Sequence, residues 1–160
     1  MKSILYAFIL VTAAASLLAA GGKPDFSGTW KLDPLRSRFS KDLPAPKELT
    51  LTIEHHEPKL HVHLKMDGRR GAEDVAFDLT TDGAESQQAG SGGTYTASVR
   101  WGDIDGTRLV LTIKEQSPNG TVTASRVMKI GANGKIMTTV LTEQDGKGTE
   151  RADEFYQRAG

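Results

Sequence analysis

His55, His56, His61 and His63 are the only histidines in the chain, and they crowd into a single short stretch. Two imidazoles at i and i+2 on a strand, with a carboxylate across from them, can ligate Zn²⁺ or Cu²⁺. A two-residue turn at Glu57-Pro58 pairs His55 with Leu60, Glu54 with His61, and Thr52 with His63. Glu54, His56, His61 and His63 then share one face of the hairpin, and Leu51, Ile53, Leu60, Val62 and Leu64 share the other. The histidine face also carries Lys59 and Lys65, so a solvated polar surface competes with a metal site there. A catalytic metal would further need an enclosed pocket and outer contacts to orient its ligands. His55 falls on the apolar face and reads as a core or capping histidine.

The second candidate is Arg126. An extended Val122–Ile130 segment puts Val122, Ala124, Arg126, Met128 and Ile130 on one face, among apolar neighbours. Turns at Asn119-Gly120 and Asn133-Gly134 set Ile113 and Leu141 opposite Arg126, with Glu115 and Glu143 as its diagonal neighbours. A guanidinium inside a core needs partners, because an unpaired buried charge is costly. Three arrangements meet that need: an anchor for the anionic head of a ligand, an internal Glu115–Arg126–Glu143 cluster, or a bulge that turns Arg126 outward. An acid–base enzyme would have to draw on the same three residues.

The elements that position these groups are strands. Asp-Gly or Asn-Gly occurs at Asp67, Asp82, Asp105, Asn119, Asn133 and Asp145, and these pairs suit tight hairpin turns. Glu57-Pro58 and Gly90-Ser91-Gly92-Gly93 add two further reversals. Between them the apolar residues alternate: Leu49, Leu51, Ile53; Leu60, Val62, Leu64; Val75, Phe77, Leu79; Tyr95, Ala97, Val99, Trp101; Leu109, Leu111, Ile113. Period two with Thr and Val enrichment marks half-buried antiparallel strands. Keeping Trp101 on the apolar face opposite Leu111 requires an odd loop or a bulge at Asp105-Gly106. An antiparallel meander of eight to ten strands, closed into a barrel to remove its edges, is the expected all-β fold. Residues 33–48, with three prolines and mixed charge, read as a crossing loop: a lid over one barrel end, or a strap whose Phe39 plugs the core.

Composition narrows the function. Twenty Lys and Arg balance 20 Asp and Glu in 160 residues, which argues against a nucleic-acid partner. The lack of cysteine excludes disulfides, thiol nucleophiles and a cysteine-linked lipid. Asp103-Ile104-Asp105-Gly106 lacks the remaining ligands of a calcium loop, and no sequence motif calls for a cofactor. Met1–Gly21 combines Lys2, an apolar run and small residues at Ala19-Ala20-Gly21, the pattern of a cleaved secretory signal peptide. The expectation is a periplasmic or secreted protein, with one domain over residues 22–160 and no membrane span after cleavage.

Asp25-Phe26-Ser27-Gly28-Thr29-Trp30 opens that domain. A Gly-x-Trp at the start of a strand meander resembles the lipocalin and fatty-acid-binding (calycin) families. The Phe-Ser-Gly-x-Trp opening, the Pro-rich loop and Ile53-Glu54-His55-His56 are more similar to exported bacterial lipocalin-like proteins. The resemblance implies a lipocalin-like barrel with Trp30 across its closed end and a late arginine, Arg151 or Arg158, packed over it. The last strand lacks the Arg-x-Tyr pair with which fatty-acid-binding proteins hold a carboxylate. The implied function is binding of a small hydrophobic or amphipathic molecule by a monomer. Phe77, Tyr95, Val99, Trp101 and Met128 would form the lumen wall, with Arg126 as its polar anchor. A structural or inhibitory envelope protein with a filled barrel is the alternative, and an enzyme with a lumenal Arg/Glu site a second.

Overall fold

The computed structural model describes residues 22–160 apart from 69, 70, 91 and 92, so the signal peptide expected over Met1–Gly21 lies outside the described residues. They contain no helix. Their strands are β1 (Gly28–Leu32), β2 (Arg38–Phe39), β3 (Glu48–His56), β4 (Lys59–Gly68), β5 (Gly71–Thr80), β6 (Ser86–Ala89), β7 (Thr94–Trp101), β8 (Arg108–Ser117), β9 (Gly120–Ile130), β10 (Ile136–Asp145) and β11 (Gly148–Arg158). They form one antiparallel sheet in the order β5-β4-β3-β1-β11-β10-β9-β8-β7-β6, with β2 on β11. The path curls until β5 lies against β6 and β7, and an Asp82–Arg100 bridge spans the seam. The fold is a nearly closed all-β meander barrel.

The punctuation of the sequence maps onto the connections. Gly134, at φ +66°, occupies the left-handed region that the β9–β10 loop requires, and its N–H donates to the Gly131 carbonyl at 2.9 Å. Asp67-Gly68 does not itself turn: Asp67 pairs with Ala72 and Gly68 with Gly71. The β8–β9 turn is Pro118-Asn119, one residue earlier than expected, because Ser117 pairs with Gly120. The pairing therefore slips by two, and Leu111 rather than Ile113 stands opposite Arg126. Leu141 stands opposite it on the other side, as expected. A slip of two leaves every side chain on its own face, so the apolar pattern cannot resist it. An odd number of residues separates the paired Trp101 and Leu109, as the alternation demands, but Leu111 stands opposite Val99 rather than Trp101.

One barrel end carries the Glu57-Pro58 turn and the β7–β8 and β9–β10 loops; the other carries residues 33–47 and the β8–β9 and β10–β11 turns. The first end is sealed. Trp30 is fully buried, its Nε1 donates to the Phe26 carbonyl at 2.9 Å, and the Arg158 guanidinium lies 4.5 Å over its ring. Arg158, not Arg151, therefore takes the place over the tryptophan.

His55 fixes the chain just upstream. Its Nδ1 accepts from the Phe26 N–H at 3.3 Å, which leaves Nε2–H to donate to Glu57 Oε1 at 3.0 Å. Trp101 Nε1 donates to the same oxygen at 3.2 Å, and Lys23 Nζ stands 4.8 Å over the Trp101 ring.

The crossing segment is stitched along β11. β1 is short and pairs only with the last turn-proximal part of β11, Tyr156 to Arg158. The remaining β11 edge would present unpaired backbone groups. Asp33 N–H donates to the Phe155 carbonyl at 2.8 Å, Phe155 N–H donates to Ser37 Oγ at 2.9 Å, and Arg38 and Phe39 pair with Asp153 and Ala152. Ser40 Oγ then donates to Glu150 Oε2 at 2.6 Å. Phe39 is half-buried in this strap.

Candidate functional site

The inner face changes character along the barrel axis. Across β8, β9, β10 and β11 the ladders stack inward residues in layers. Leu109, Met128, Thr139 and Glu154 form one; Leu111, Arg126, Leu141 and Ala152 the next; Ile113, Ala124, Glu143 and Glu150 the third. Leu109, Leu111 and Met128 have no exposed surface, Arg126 is 5% exposed and Ile113 8%. In the third layer Ala124, Glu143 and Glu150 are half-buried, as are Val122 and Glu115 beyond them. The deep half is sealed and the strap-end half is reached by solvent. Arg126 lies at the boundary.

Arg126 Nε donates to Glu154 Oε2 at 3.2 Å, and the Tyr156 hydroxyl donates to the same oxygen at 2.8 Å. Glu154 takes the role expected of Glu115 and Glu143. The pair spans two strands, about 10 Å between backbones, and it skips β10 where the short Thr139 side chain stands beside Glu154. Hairpin pairing relates only adjacent strands, so Glu154 does not emerge from it as a partner of Arg126. The signal was the alternation Ala152, Glu154, Tyr156, which places a carboxylate on the buried face of β11.

The electrostatics follow from burial. Burial alone pushes the Arg126 guanidinium down, but the Glu154 carboxylate, seconded by Tyr156, outweighs it and holds the pKa above the ordinary arginine value. Burial, and then the Glu154 charge, push the Tyr156 phenol well above the usual tyrosine range. Both groups therefore stay protonated at neutral pH and donate to Glu154 Oε2. Thr139 Oγ1, in the layer below Arg126, is buried with no hydrogen-bond partner among the described residues.

Phe77, Tyr95, Val99 and Met128 all point inward and are buried, at 1%, 4%, 0% and 0% exposure. Phe77, Val99 and Met128 pack in the sealed half, and Tyr95 pairs with Glu115 near the strap end. Trp101 lies apart from them, half-buried at the sealed end against Phe26 and His55.

The histidine face is on the outside. Glu54, His56, His61 and His63 alternate with the core residues, as the register required. His61 Nδ1 bonds Asp78 Oδ1 at 2.8 Å and His63 Nε2 bonds Asp74 Oδ1 at 2.6 Å, so each imidazole is tied to its own carboxylate on β5. Among the described residues no group of three or more His, Cys, Asp or Glu converges to hold a metal ion.

No family model matches the chain, and no curated protein matches it. Among solved structures it is similar to zebrafish ileal bile acid-binding protein complexed with cholic acid, with a TM-score of 0.53 and 14% identity over 84% of this chain and 98% of that one. At that identity the likeness is one of fold. The shared feature is the antiparallel β-barrel.

Proposed function

We propose that this protein binds a small, partly apolar molecule in the strap-end half of its barrel. The observation that carries the reading is the exposure gradient of the inner face, which opens above Arg126 while the opposite end is sealed by Trp30 and Phe26. Ligand sites are typically concave and mostly apolar, with a few fixed polar groups. Val122, Ala124 and Ile113 supply apolar wall, and the Arg126–Glu154–Tyr156 cluster supplies the polar floor. The structural neighbour was solved with cholic acid, an amphipathic molecule.

The floor also shapes the ligand's head. Arg126 is already neutralised by Glu154. An anionic head would have to displace that carboxylate, and breaking a buried pair costs roughly 3–5 kcal/mol. A hydroxyl, amide or protonated acid can hydrogen-bond to the pair without breaking it, and suits the site better. The ligand would meet the protein after export, with Met1–Gly21 removed.

The test is titration with uncharged N-phenylnaphthylamine, with anionic cholate as the comparison expected to bind the lumen more weakly, followed by fluorescence and by shifts of backbone amides. Saturable binding that moves Val122, Ala124 and Arg126 supports the reading. Absence of saturable binding, with nothing retained in native mass spectra of protein purified from cells, would overturn it. N-terminal sequencing of that material tests export: a start near Gly22 is expected, and an intact Met1 rejects it.

A further inference from the structure

The outer face of β8–β11 carries an arrangement that the lumen does not use. The ladders align Val110, Val127 and Val140 side by side on three adjacent strands, with Asp153 next on β11. The neighbouring outward row reads Arg108, Lys129, Thr138 and Phe155 across the same four strands. The three valines and Phe155 are half-buried. Val127, Val140 and Phe155 of this strip floor a groove of about 420 Å³, walled at one side by Arg36 from the strap, whose guanidinium lies 3.5 Å over the Phe155 ring.

The charges around this strip are one-sided. Arg36, Arg108 and Lys129 border it. Arg108 makes a loose 3.7 Å contact with Asp103, and Lys129 has no ion-pair partner among the described residues. Two acidic residues line the groove. Asp153 is held at 3.3 Å by Arg151, and the Glu154 carboxylate is inside the barrel on Arg126. The outer face of β3–β5 contrasts with it: the corresponding rows there read Glu54, His61, Asp78 and Thr50, Lys65, Asp74, and no valine strip interrupts them.

We infer that this groove is a second binding site, for an apolar molecule that carries one anionic group. Its body lies on Val127, Val140 and Phe155, and its carboxylate, sulfonate or phosphate meets Lys129 and Arg108. Each partner of that match is needed. An apolar strip on an outer sheet face is ordinarily covered or broken by polar residues, and a cation beside apolar surface gains most from an anion tethered to an apolar body. The site is distinct from the lumen, whose floor disfavours an anion.

The probe is anilinonaphthalene sulfonate, compared with uncharged N-phenylnaphthylamine, on the full mature chain labelled at valine methyls. Sulfonate binding should shift the methyls of Val110, Val127 and Val140. Lys129→Glu, an exposed change that leaves the melting temperature in place, should weaken it about tenfold or more. The same variant should leave N-phenylnaphthylamine binding unchanged, which separates this site from the lumen. Sulfonate shifts confined to interior valines such as Val99 and Val122, or affinity indifferent to Lys129→Glu, would overturn the inference. Two further outcomes would also reject it as a small-molecule site. One is binding to phosphatidylglycerol vesicles but not phosphatidylcholine, without any effect of the monomeric probe. The other is concentration-dependent self-association lost in Lys129→Glu.

Discussion

The two halves of the barrel interior use one alternating pattern for opposite ends. In the half nearer Trp30 the inward positions are apolar or paired apart from Thr139, whose Oγ1 has no hydrogen-bond partner among the described residues, and Trp30, Leu109, Leu111 and Met128 pack without exposed surface. In the strap-end half the same strands continue inward with Glu115, Glu143, Glu150 and small Ala124, and solvent reaches them. The first half carries the folding energy, because it removes the most apolar surface from water. The second leaves room above a polar floor. Arg126 is the hinge of this division, since it is the charge that ends the sealed core.

The strongest way to break the division is to unpair that charge. Arg126→Met strands the Glu154 carboxylate, which is 1% exposed, and should cost roughly 3–5 kcal/mol in urea unfolding. Arg126→Met with Glu154→Met should recover most of the loss, since an apolar replacement of a buried pair is often neutral. If the single variant loses less than about 1 kcal/mol, the pair is solvated and the boundary is misplaced.

A sharper comparison uses one substitution in two places. Ala97 and Ala124 both face inward and both pair with Ile113, yet Ala97 is 1% exposed and Ala124 is half-buried. Ala97→Leu should overpack the closed surroundings on the β7 side of that layer and cost about 1–3 kcal/mol. Ala124→Leu should cost under about 1 kcal/mol, yet weaken N-phenylnaphthylamine binding about tenfold by filling the space it needs. Equal destabilisation at the two sites would mean that Ala124 is as closely packed as Ala97, which removes the space that a lumenal ligand needs.

The strap gives a smaller effect. Ser40→Ala deletes the 2.6 Å bond to Glu150 and should cost about 1 kcal/mol, with faster hydrogen exchange at the β2-facing amides of β11. Unchanged exchange would show that backbone pairing alone holds the segment.

How much of this could be read from the residues depends on whether the cause is local. Strand faces were legible because one-residue slips are costly, so His55 fell in the core, and Glu54, His61 and His63 outside it, as the turn at Glu57-Pro58 required. The offset at Asn119-Gly120 was not legible, because a shift by two residues conserves every face. The β2 pairing was hidden as well. It exists because β1 stops short and leaves Ala152 and Asp153 without a neighbour, a fact about two segments far apart in sequence. Glu154 was missed for a related reason: its partner lies two strands away, beyond the reach of hairpin reasoning.

The smallest predicted effect tests the sealed end itself. Burial pulls the Glu57 carboxyl upward, but hydrogen bonds from His55 and Lys23 outweigh it and hold its pKa below the usual glutamate value of 4.5. A carboxylate whose pKa is depressed on folding contributes stability that is fully present above its unfolded value and is lost as pH falls through its folded one. The loss therefore belongs below pH 4.5. Because Glu57 is more than a third exposed, the effect is screened and should amount to only a few tenths of a kcal/mol. Unfolding followed by Trp101 fluorescence should show this acid-side loss in the native chain, and Glu57→Gln should flatten it. Trp101, His55 and Lys23 all meet this one carboxylate, so an identical acid profile in Glu57→Gln would mean that the sealed end is held by the Phe26 and Trp30 packing alone.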